Sequence, residues 1–316
     1  MKDRGVSFAG LNTAKLTPHL FCDKLLPKQK FLTEGENTHM NHLQKILFTD
    51  LDGTLLDDNK KITPENSAAI AGALSKGHKI VVSTGRPLAG ALPVIQSLGL
   101  EQKGCYAITY NGGLIYDCYQ KETLYKKTLS RSYVEYIFQE AGKRGLHCQT
   151  YSSGHVLSKA FTPELEDYVS HTLVPPKIDP DLLQNLDEDP VKILVIELTN
   201  TEKLLTYRRE ISGWAKGKIS VFFSSPYYLE HVAEGISKGS AVRFLCRYLQ
   251  IPLAQTIAVG DAENDIPMLA AAGLGAAMCN GTEEVKKHAG YITTADNNHS
   301  GVAEIITKFM GCPFSF

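Results

Sequence analysis

Residues 45–56 read KILFTDLDGTLL, and this stretch is the strongest structural signal in the chain. Ile46–Thr49 is a short apolar run, which is typical of a central parallel strand that is buried on both faces. Two carboxylates, Asp50 and Asp52, follow where the strand is predicted to end. Ordinary turn residues would explain this placement, and so would a nucleophile and an acid beside a metal ion. The rest of the sequence has to decide between them.

The composition is typical of a soluble globular protein. The chain has 316 residues, 43% of them hydrophobic and 21% charged, and this length allows one large domain or two moderate ones. The net charge of −1 gives no overall basic field that would attract nucleic acid or an anionic membrane. No apolar run approaches the roughly 20 residues that a membrane helix needs. We therefore expect neither a nucleic-acid partner nor association with a membrane.

Cysteine usage points to a reducing compartment. The seven cysteines form no C-x-x-C pair and their number is odd, so a zinc ribbon or a disulfide framework is disfavoured. A reducing environment keeps such scattered thiols free. The sequence therefore predicts a cytoplasmic location.

The order of predicted elements indicates an α/β protein with an inserted domain. From Lys45 onward, strands and helices alternate, which predicts a parallel sheet with right-handed crossovers. Over residues 128–231, helices are interleaved with strand-like runs that do not end in acidic clusters. We predict that this segment is a separate α+β domain and that residues 44–127 and 232–316 form the core. Residues 1–43 show no sustained pattern, so we expect a disordered or dispensable extension.

Polar and acidic side chains follow four of the predicted strands, at the point where each strand ends. In open parallel sheets, ligands bind beyond the carboxyl ends of the strands. One such cluster alone is as often a set of capping and turn residues, whereas four at one sheet edge favour a functional site. The four clusters are Asp50 with Asp52, Thr84 with Gly85, Asn111 with Gly112, and Asp261 with Asn264 and Asp265.

The carboxylates predict a divalent metal. Asp50, Asp261 and Asp265 would repel one another in a shared pocket unless a cation neutralised them, and oxygen ligands favour Mg²⁺. The histidines show neither an H-x₃-H nor an H-E-x-x-H pattern, which disfavours a zinc hydrolase. Arg86 follows the Thr84 cluster and could pair with a carboxylate or with substrate.

The same residues suit phosphoryl transfer. A carboxylate at a strand end can attack phosphorus and form an acyl phosphate, a role that Asp50 fits. Asp52 would protonate the departing oxygen and later deprotonate water, so we expect Asp50 to be ionised and Asp52 partly protonated. Thr84 and the Gly85 amide could donate to a phosphoryl oxygen, and Lys238, at a predicted helix start, could supply positive charge.

Together these residues resemble the haloacid-dehalogenase (HAD) superfamily of phosphatases, in its Cof-type branch with a type IIB cap. Four signatures occur in the order of that family, and the resemblance extends over about residues 44–316. The signatures are DLDGT at 50–54, STGR at 83–86, Lys238 in SKGSAV, and GDAENDIPML at 260–269.

The resemblance implies a Rossmann-like parallel-sheet core with a cap inserted between the second and third signatures. It implies that Asp50 is the nucleophile and a Mg²⁺ ligand, and that Asp52 is the acid/base residue and binds metal through its backbone carbonyl. Asp261 would be a further metal ligand, and Asp265 would support the metal site or Lys238. The residues that would contact phosphate, or orient groups that do, are Thr84, Asn111, Lys238 and Asn264.

The leading hypothesis is a Mg²⁺-dependent phosphatase that hydrolyses small phosphomonoesters through an aspartyl phosphate. Sugar phosphates are the first guess, with FMN or pyridoxal phosphate behind them. The alternatives are a phosphomutase and a receiver-type phospho-acceptor domain, although Asp52 and the long insert argue against a receiver. Specificity would depend on the cap, where spacing does not distinguish His155, Lys159 and Tyr227. The oligomeric state, monomer or dimer, stays open.

The N-terminal segment offers a test of this domain organisation. A chain that starts at Met40 is expected to fold and to keep its activity, because the first predicted strand begins after this residue. Circular dichroism and turnover, each compared with the 316-residue chain, measure the two properties. Loss of either one would contradict a dispensable extension.

Overall fold

The computed structural model describes residues 44–152 and 154–312. The predicted extension over residues 1–43 lies outside this part of the chain, so its dispensability stays a prediction. The described residues form two β-sheets with helices packed against them.

The strands and helices are numbered along the chain. The strands are β1 (Ile46–Thr49), β2 (Lys79–Ser83), β3 (Cys105–Thr109), β4 (Leu114–Asp117), β5 (Glu122–Lys126), β6 (His147–Ser152), β7 (His155–Ser158), β8 (Pro176–Ile178), β9 (Lys192–Ile196), β10 (Ile219–Ser225), β11 (Tyr228–Ala233), β12 (Thr256–Gly260), β13 (Leu274–Ala277) and β14 (Tyr291–Ile292). The helices are α1 (Pro64–Ser75), α2 (Leu88–Ser97), α3 (Arg131–Lys143), α4 (Pro163–Thr172), α5 (Thr201–Ala215), α6 (Lys238–Leu249), α7 (Ile266–Ala271), α8 (Glu283–Lys287) and α9 (Gly301–Met310).

The larger sheet has eight strands in the order β14-β13-β12-β1-β2-β3-β4-β5. The six strands from β14 to β3 are parallel to their neighbours, whereas β4 and β5 extend one edge in antiparallel pairing. The predicted α/β fold with a parallel-sheet core is therefore confirmed. The antiparallel edge was not predicted.

Burial on both faces explains why the central strands are continuously apolar. Leu47 on β1 faces a cluster that includes α1, α2 and α9. Its neighbours Ile46 and Phe48 face the opposite cluster, which includes α6 and α7. Successive strand side chains point to opposite faces, so β1 contributes to two hydrophobic layers and keeps no face for solvent.

The second sheet lies within residues 147–233 and has the order β10-β11-β9-β6-β7-β8. Helices α3 and α5 contribute their apolar stripes to one hydrophobic cluster with this sheet, and α4 belongs to a separate cluster. Helix α4 and the strands β7, β8 and β11 were not predicted. The domain boundaries at residues 128 and 231 stay a prediction.

The parallel order brings distant segments to one sheet edge. Strand β1 lies between β12 and β2, and β3 lies beyond β2, so the loops after these four strands are neighbours. Helix α6 packs close to the loop after β12. Ser237 caps the start of this helix, because its hydroxyl accepts the N–H of Ser240 over 3.1 Å. Among the described residues, no helix is long and apolar enough to cross a membrane.

The close packing of α6 against α7 can be tested at Gly239. A Cβ added there would lie 2.0 Å from the carbonyl oxygen of Pro267, so Gly239→Ala is expected to reduce the free energy of unfolding by about 1–3 kcal/mol. Gly72→Ala is the matched control, because nothing lies within 4 Å of that position in α1, and it should stabilise by roughly 0.5–1 kcal/mol. Urea denaturation of both variants measures the difference. Equal midpoints would contradict the close contact.

Candidate active site

A buried lysine holds two carboxylates at the centre of the site. Asp50 follows β1, and Lys238 is the first residue of α6. Lys238 donates from Nζ to Asp50 Oδ1 over 2.7 Å and to Asp265 Oδ1 over 2.5 Å. The side chains of Lys238 and Asp265 are 0% exposed, so each ion depends on its partner for the solvation that water would supply.

The loop after β12 brings a third carboxylate to this pair. Asp265 Oδ2 accepts the backbone N–H of Asp261 over 3.0 Å, which fixes the loop. Thr54 donates its hydroxyl to Asp261 Oδ1 over 2.8 Å. A Cβ on Gly53 would lie 2.6 Å from Asp261 Oδ2, so the absence of a side chain there permits this close approach. No role was predicted for Thr54.

The three carboxylates fit a divalent cation. Oxygen atoms of Asp50, Asp261 and Asp265 all lie within 4.8 Å of one another. Burial raises the pKa of Asp50 to about 7, with Lys238 opposing the shift. Burial, followed by the charges of Asp50 and Asp265, also raises the pKa of Asp261 well above its usual value. One ammonium does not neutralise three carboxylates, and a cation that prefers oxygen ligands would.

Asp52 has an environment opposite to the one predicted. Arg86 donates from Nε to Asp52 Oδ2 over 2.7 Å and from Nη2 to Oδ1 over 2.6 Å, and Lys60 donates to Oδ1 over 2.9 Å. Burial alone would raise the pKa of Asp52, but the hydrogen bonds and charge of Arg86, aided by Lys60, lower it to about 2. The expectation of a partly protonated Asp52 is therefore wrong for this arrangement, whereas an ionised Asp50 beside a bound metal stays a prediction. Arg86 was predicted to pair either with a carboxylate or with substrate, and in the structure it pairs with the carboxylate of Asp52.

Three of the residues predicted to contact phosphate are linked by hydrogen bonds beside Gly85. Asn264 donates from Nδ2 to Asn111 Oδ1 over 2.9 Å, and the Asn111 N–H donates to the Thr84 carbonyl over 3.0 Å. Asn111 Nδ2 is buried and has no hydrogen-bond partner among the described residues. It lies 3.1 Å from the position that a Cβ on Gly85 would take. An unpaired buried donor beside a residue that has no side chain suits a phosphate oxygen.

Two residues that reach this site from the second sheet were missed by the sequence analysis. Lys192 on β9 donates from Nζ to the Gly85 carbonyl over 2.6 Å. Its Nζ also lies 3.0 Å from Oε2 of Glu230 on β11. A charged residue at the start of a strand or within it, next to apolar residues, is the signal that could have found both, because such residues are seldom buried unless paired.

The polar cap candidates lie in or beside strands of the second sheet. Lys159 is exposed, and its Nζ lies 5.9 Å from the ring centre of Phe138. Tyr227 is 44% exposed at the turn between β10 and β11, and His155 begins β7. A role of these three residues in specificity stays a prediction.

Comparison with known proteins identifies the family. Residues 47–306 match the family of haloacid dehalogenase-like hydrolases. The chain belongs to this family. The hydrolase is 34% identical over 273 residues to a Streptococcus pyogenes protein whose name assigns it provisionally to the phosphatases, and the match covers 84% of this chain and 98% of that protein.

Solved structures of the family share the fold of the hydrolase. A haloacid dehalogenase-like hydrolase from Bacteroides thetaiotaomicron is 31% identical with a TM-score of 0.76, over 84% of this chain and 99% of that one. BT4131, described as a sugar phosphatase of HAD subclass IIB, is 25% identical with a TM-score of 0.72, over 84% and 99% of the two chains. These matches confirm the predicted HAD-type phosphatase of the Cof-type branch.

The central ion pair of the hydrolase can be tested by its pH dependence. Lys238→Met leaves buried carboxylates without their cation, so in a chelator at pH 8 it should reduce the free energy of unfolding by about 3–5 kcal/mol. The reduction should be smaller at pH 5, because a carboxyl group with a raised pKa takes up a proton as the pH falls below about 7.

Lys60→Met is the matched control for this experiment, because Lys60 also pairs with an aspartate but its side chain is 36% exposed. It should cost no more than about 1 kcal/mol. Urea denaturation at the two pH values gives the comparison. An equal effect of the two variants, or a larger Lys238→Met effect at pH 5, would contradict the proposed electrostatics.

Proposed function

We propose that the protein is a Mg²⁺-dependent phosphatase that hydrolyses small phosphomonoesters through an aspartyl phosphate on Asp50. One observation carries the proposal: a strand-end carboxylate held by a buried lysine, within 4.8 Å of the carboxylates of Asp261 and Asp265. The family membership supports it. Buried carboxylates without full charge compensation are costly unless a cation or a chemical role requires them.

Asp50 is the proposed nucleophile. Lys238 holds Asp50 Oδ1, so Oδ2 is the oxygen proposed to form the bond to phosphorus as the bond to the leaving oxygen breaks. The same ammonium lies beside the position where negative charge gathers on the phosphoryl oxygens, and it would stabilise that charge.

The proposed Mg²⁺ ligands are the carboxylates of Asp50 and Asp261, with Asp265 in support and the backbone carbonyl of Asp52 as a further ligand. When bound, Mg²⁺ would neutralise the excess negative charge of this cluster and polarise a phosphoryl oxygen. With that charge neutralised, ionised Asp50 is favoured, which is the form that attacks.

Asp52 is the proposed acid and base. While Arg86 and Lys60 hold it, its low pKa keeps it ionised, and an ionised carboxylate can accept a proton from water but cannot protonate a leaving group. We infer that substrate binding must separate Asp52 from Arg86 before the first step, so that Asp52 regains a higher pKa and takes up a proton from solvent. Asp52 then gives this proton to the leaving oxygen and later takes one from the water that hydrolyses the acyl phosphate.

Neutral donors complete the proposed phosphate site. The unpaired Nδ2 of Asn111 would donate to a phosphate oxygen, with Asn264 holding the other end of the same amide group. The Thr84 hydroxyl and the Gly85 N–H are the other proposed donors. Such fixed donors need little reorganisation when charge develops on the phosphoryl group.

Sugar phosphates are the proposed first substrate class, which the description of BT4131 as a sugar phosphatase supports. FMN and pyridoxal phosphate belong in the same assay panel, ranked by kcat/KM. We propose that the protein acts in the cytoplasm, which is where such small metabolites are turned over, and that it does not bind nucleic acid.

The substrate panel should measure free inorganic phosphate, since a phosphomutase would keep the phosphoryl group on its substrate.

The nucleophile assignment has a direct test. Asp50→Asn should lower Mg²⁺-dependent release of phosphate from p-nitrophenyl phosphate by on the order of 10⁴-fold or more, because the attacking oxygen is lost. Asp52→Asn should lower it by about 10²–10⁴-fold through loss of acid–base catalysis. Rapid-quench kinetics measures both the rate and any trapped phospho-enzyme.

Asp187→Asn serves as the control, because Asp187 is exposed on the inserted segment, and its rate should match that of the wild type. Undiminished turnover by Asp50→Asn would remove Asp50 as the nucleophile. Full activity in the presence of a metal chelator would remove the proposed Mg²⁺ requirement.

A further inference from the structure

A buried ion pair of the second sheet contacts the loop that contains Thr84 and Gly85. Lys192 and Glu230 are 1% and 2% exposed, and Lys192 Nζ lies 3.0 Å from Glu230 Oε2. The partners come from the neighbouring strands β9 and β11. The same Nζ donates to the carbonyl oxygen of Gly85 over 2.6 Å. A charged group of the second sheet therefore contacts the backbone of the candidate active site.

Several contacts hold the Lys192 ammonium in one place. Glu230 Oε1 accepts the Ser224 hydroxyl over 2.7 Å, which orients the carboxylate. The ring of Tyr151 lies 4.9 Å from Nζ, within the range of a cation–π contact. Burial of two charges costs free energy of desolvation, and a well-packed apolar pair would often stabilise a fold equally well. The placement therefore suggests a function for the charge besides stability.

The peptide bond between Gly85 and Arg86 carries the effect of this charge further. A trans peptide is planar, so its C=O and N–H point in opposite directions. The carbonyl accepts from Lys192, and the N–H, which belongs to Arg86, donates to Thr84 Oγ1 over 3.1 Å. A cation on the oxygen polarises the peptide and strengthens the donor at the other end.

The Arg86 N–H decides how the Thr84 hydroxyl is used. A hydroxyl has one hydrogen to donate and lone pairs that accept. Since a lone pair of Thr84 Oγ1 receives the Arg86 N–H, the Thr84 hydrogen is directed away from this peptide. The proposed phosphate site next to Gly85 provides an acceptor for it.

We propose that Lys192, oriented by Glu230, is a positioning residue that aligns the Thr84 hydroxyl as a donor to the phosphoryl group through the Gly85–Arg86 peptide. This inference rests on the proposed function, in which Thr84 contacts phosphate. It predicts that the inserted segment affects the rate of the chemical step as well as the choice of substrate.

The test removes both charges together, so that no buried ion is left alone. Lys192→Met/Glu230→Gln should lower kcat for p-nitrophenyl phosphate about tenfold, because a misaligned donor loses much of its effect. The affinity for inorganic phosphate in the presence of Mg²⁺, measured by calorimetry, should fall several-fold. Lys203→Met/Glu197→Gln is the matched control, since it removes another ion pair of the insert, 2.9 Å long and away from Gly85, and both values should equal those of the wild type.

A double-mutant cycle separates positioning from a general structural effect. In a Thr84→Val background the hydroxyl is absent, so the Lys192→Met/Glu230→Gln change should lower kcat by less than about twofold. A tenfold loss in both backgrounds would overturn the proposal, because it would mean that Lys192 does not act through Thr84. If the double substitution prevents folding, Ser224→Ala replaces it, and this variant should lower kcat two- to threefold only where Thr84 is present. An unchanged kcat for Ser224→Ala would then count against the proposal.

The outcomes also separate this inference from the proposed function. If Asp50→Asn is inactive but Lys192→Met/Glu230→Gln has wild-type kcat, the inference fails and the phosphatase mechanism stands. If the wild type releases no phosphate from any ester, the proposed function fails, and the calorimetric comparison decides the inference. Equal phosphate affinity in the two proteins would overturn it, and a several-fold loss would support it.

Discussion

The site depends on one buried ammonium, that of Lys238, shared by Asp50 and Asp265. The three residues come from the end of β1, the start of α6 and the loop after β12, which are far apart in the chain. None of these ions could stay charged in the interior alone, because each would lose its water without compensation. The ion pairs therefore tie sheet order, helix placement and loop conformation to one electrostatic requirement, and the chemistry proposed for Asp50 uses the charge that the fold has to neutralise.

Backbone shape around this cluster is equally constrained. Gly53 has φ 75°, a conformation that a side chain would strain, and its bare Cα permits contact with Asp261. Asn111 adopts φ 56° despite its side chain, and its amide is thereby held beside Gly85. Left-handed conformations of residues other than glycine are uncommon and often occur where function requires a side chain in one exact position. Part of the folding free energy thus goes into holding the Asn111 amide in this one position.

Local pattern predicted much of the fold and the central cluster, and long-range contacts account for what it missed. Helical periodicity predicts helices around residues 201–215 and at residues 238–249, and α5 and α6 have these bounds, because periodicity and capping residues act within a few positions. The β4–β5 hairpin escaped prediction, since only its pairing with β3 distinguishes it from a loop. The ion pair between Asp52 and Arg86 reversed the expected protonation of Asp52. The residues next to Asp52 in the chain do not show which cation will pair with it, because Arg86 is 34 residues away.

The hydrogen bond from Lys192 to the Gly85 carbonyl has a consequence for protein engineering. The predicted insert, residues 128–231, is an attractive unit for recombination, because exchanging it between relatives tests whether it determines specificity. In this protein, an exchange of the segment would separate the buried Lys192 from the Gly85 carbonyl to which it donates. A transplanted segment without an equivalent lysine and carboxylate would leave that carbonyl unpaired. Chimeras should therefore carry Lys192, Glu230 and the Gly85 loop as one block.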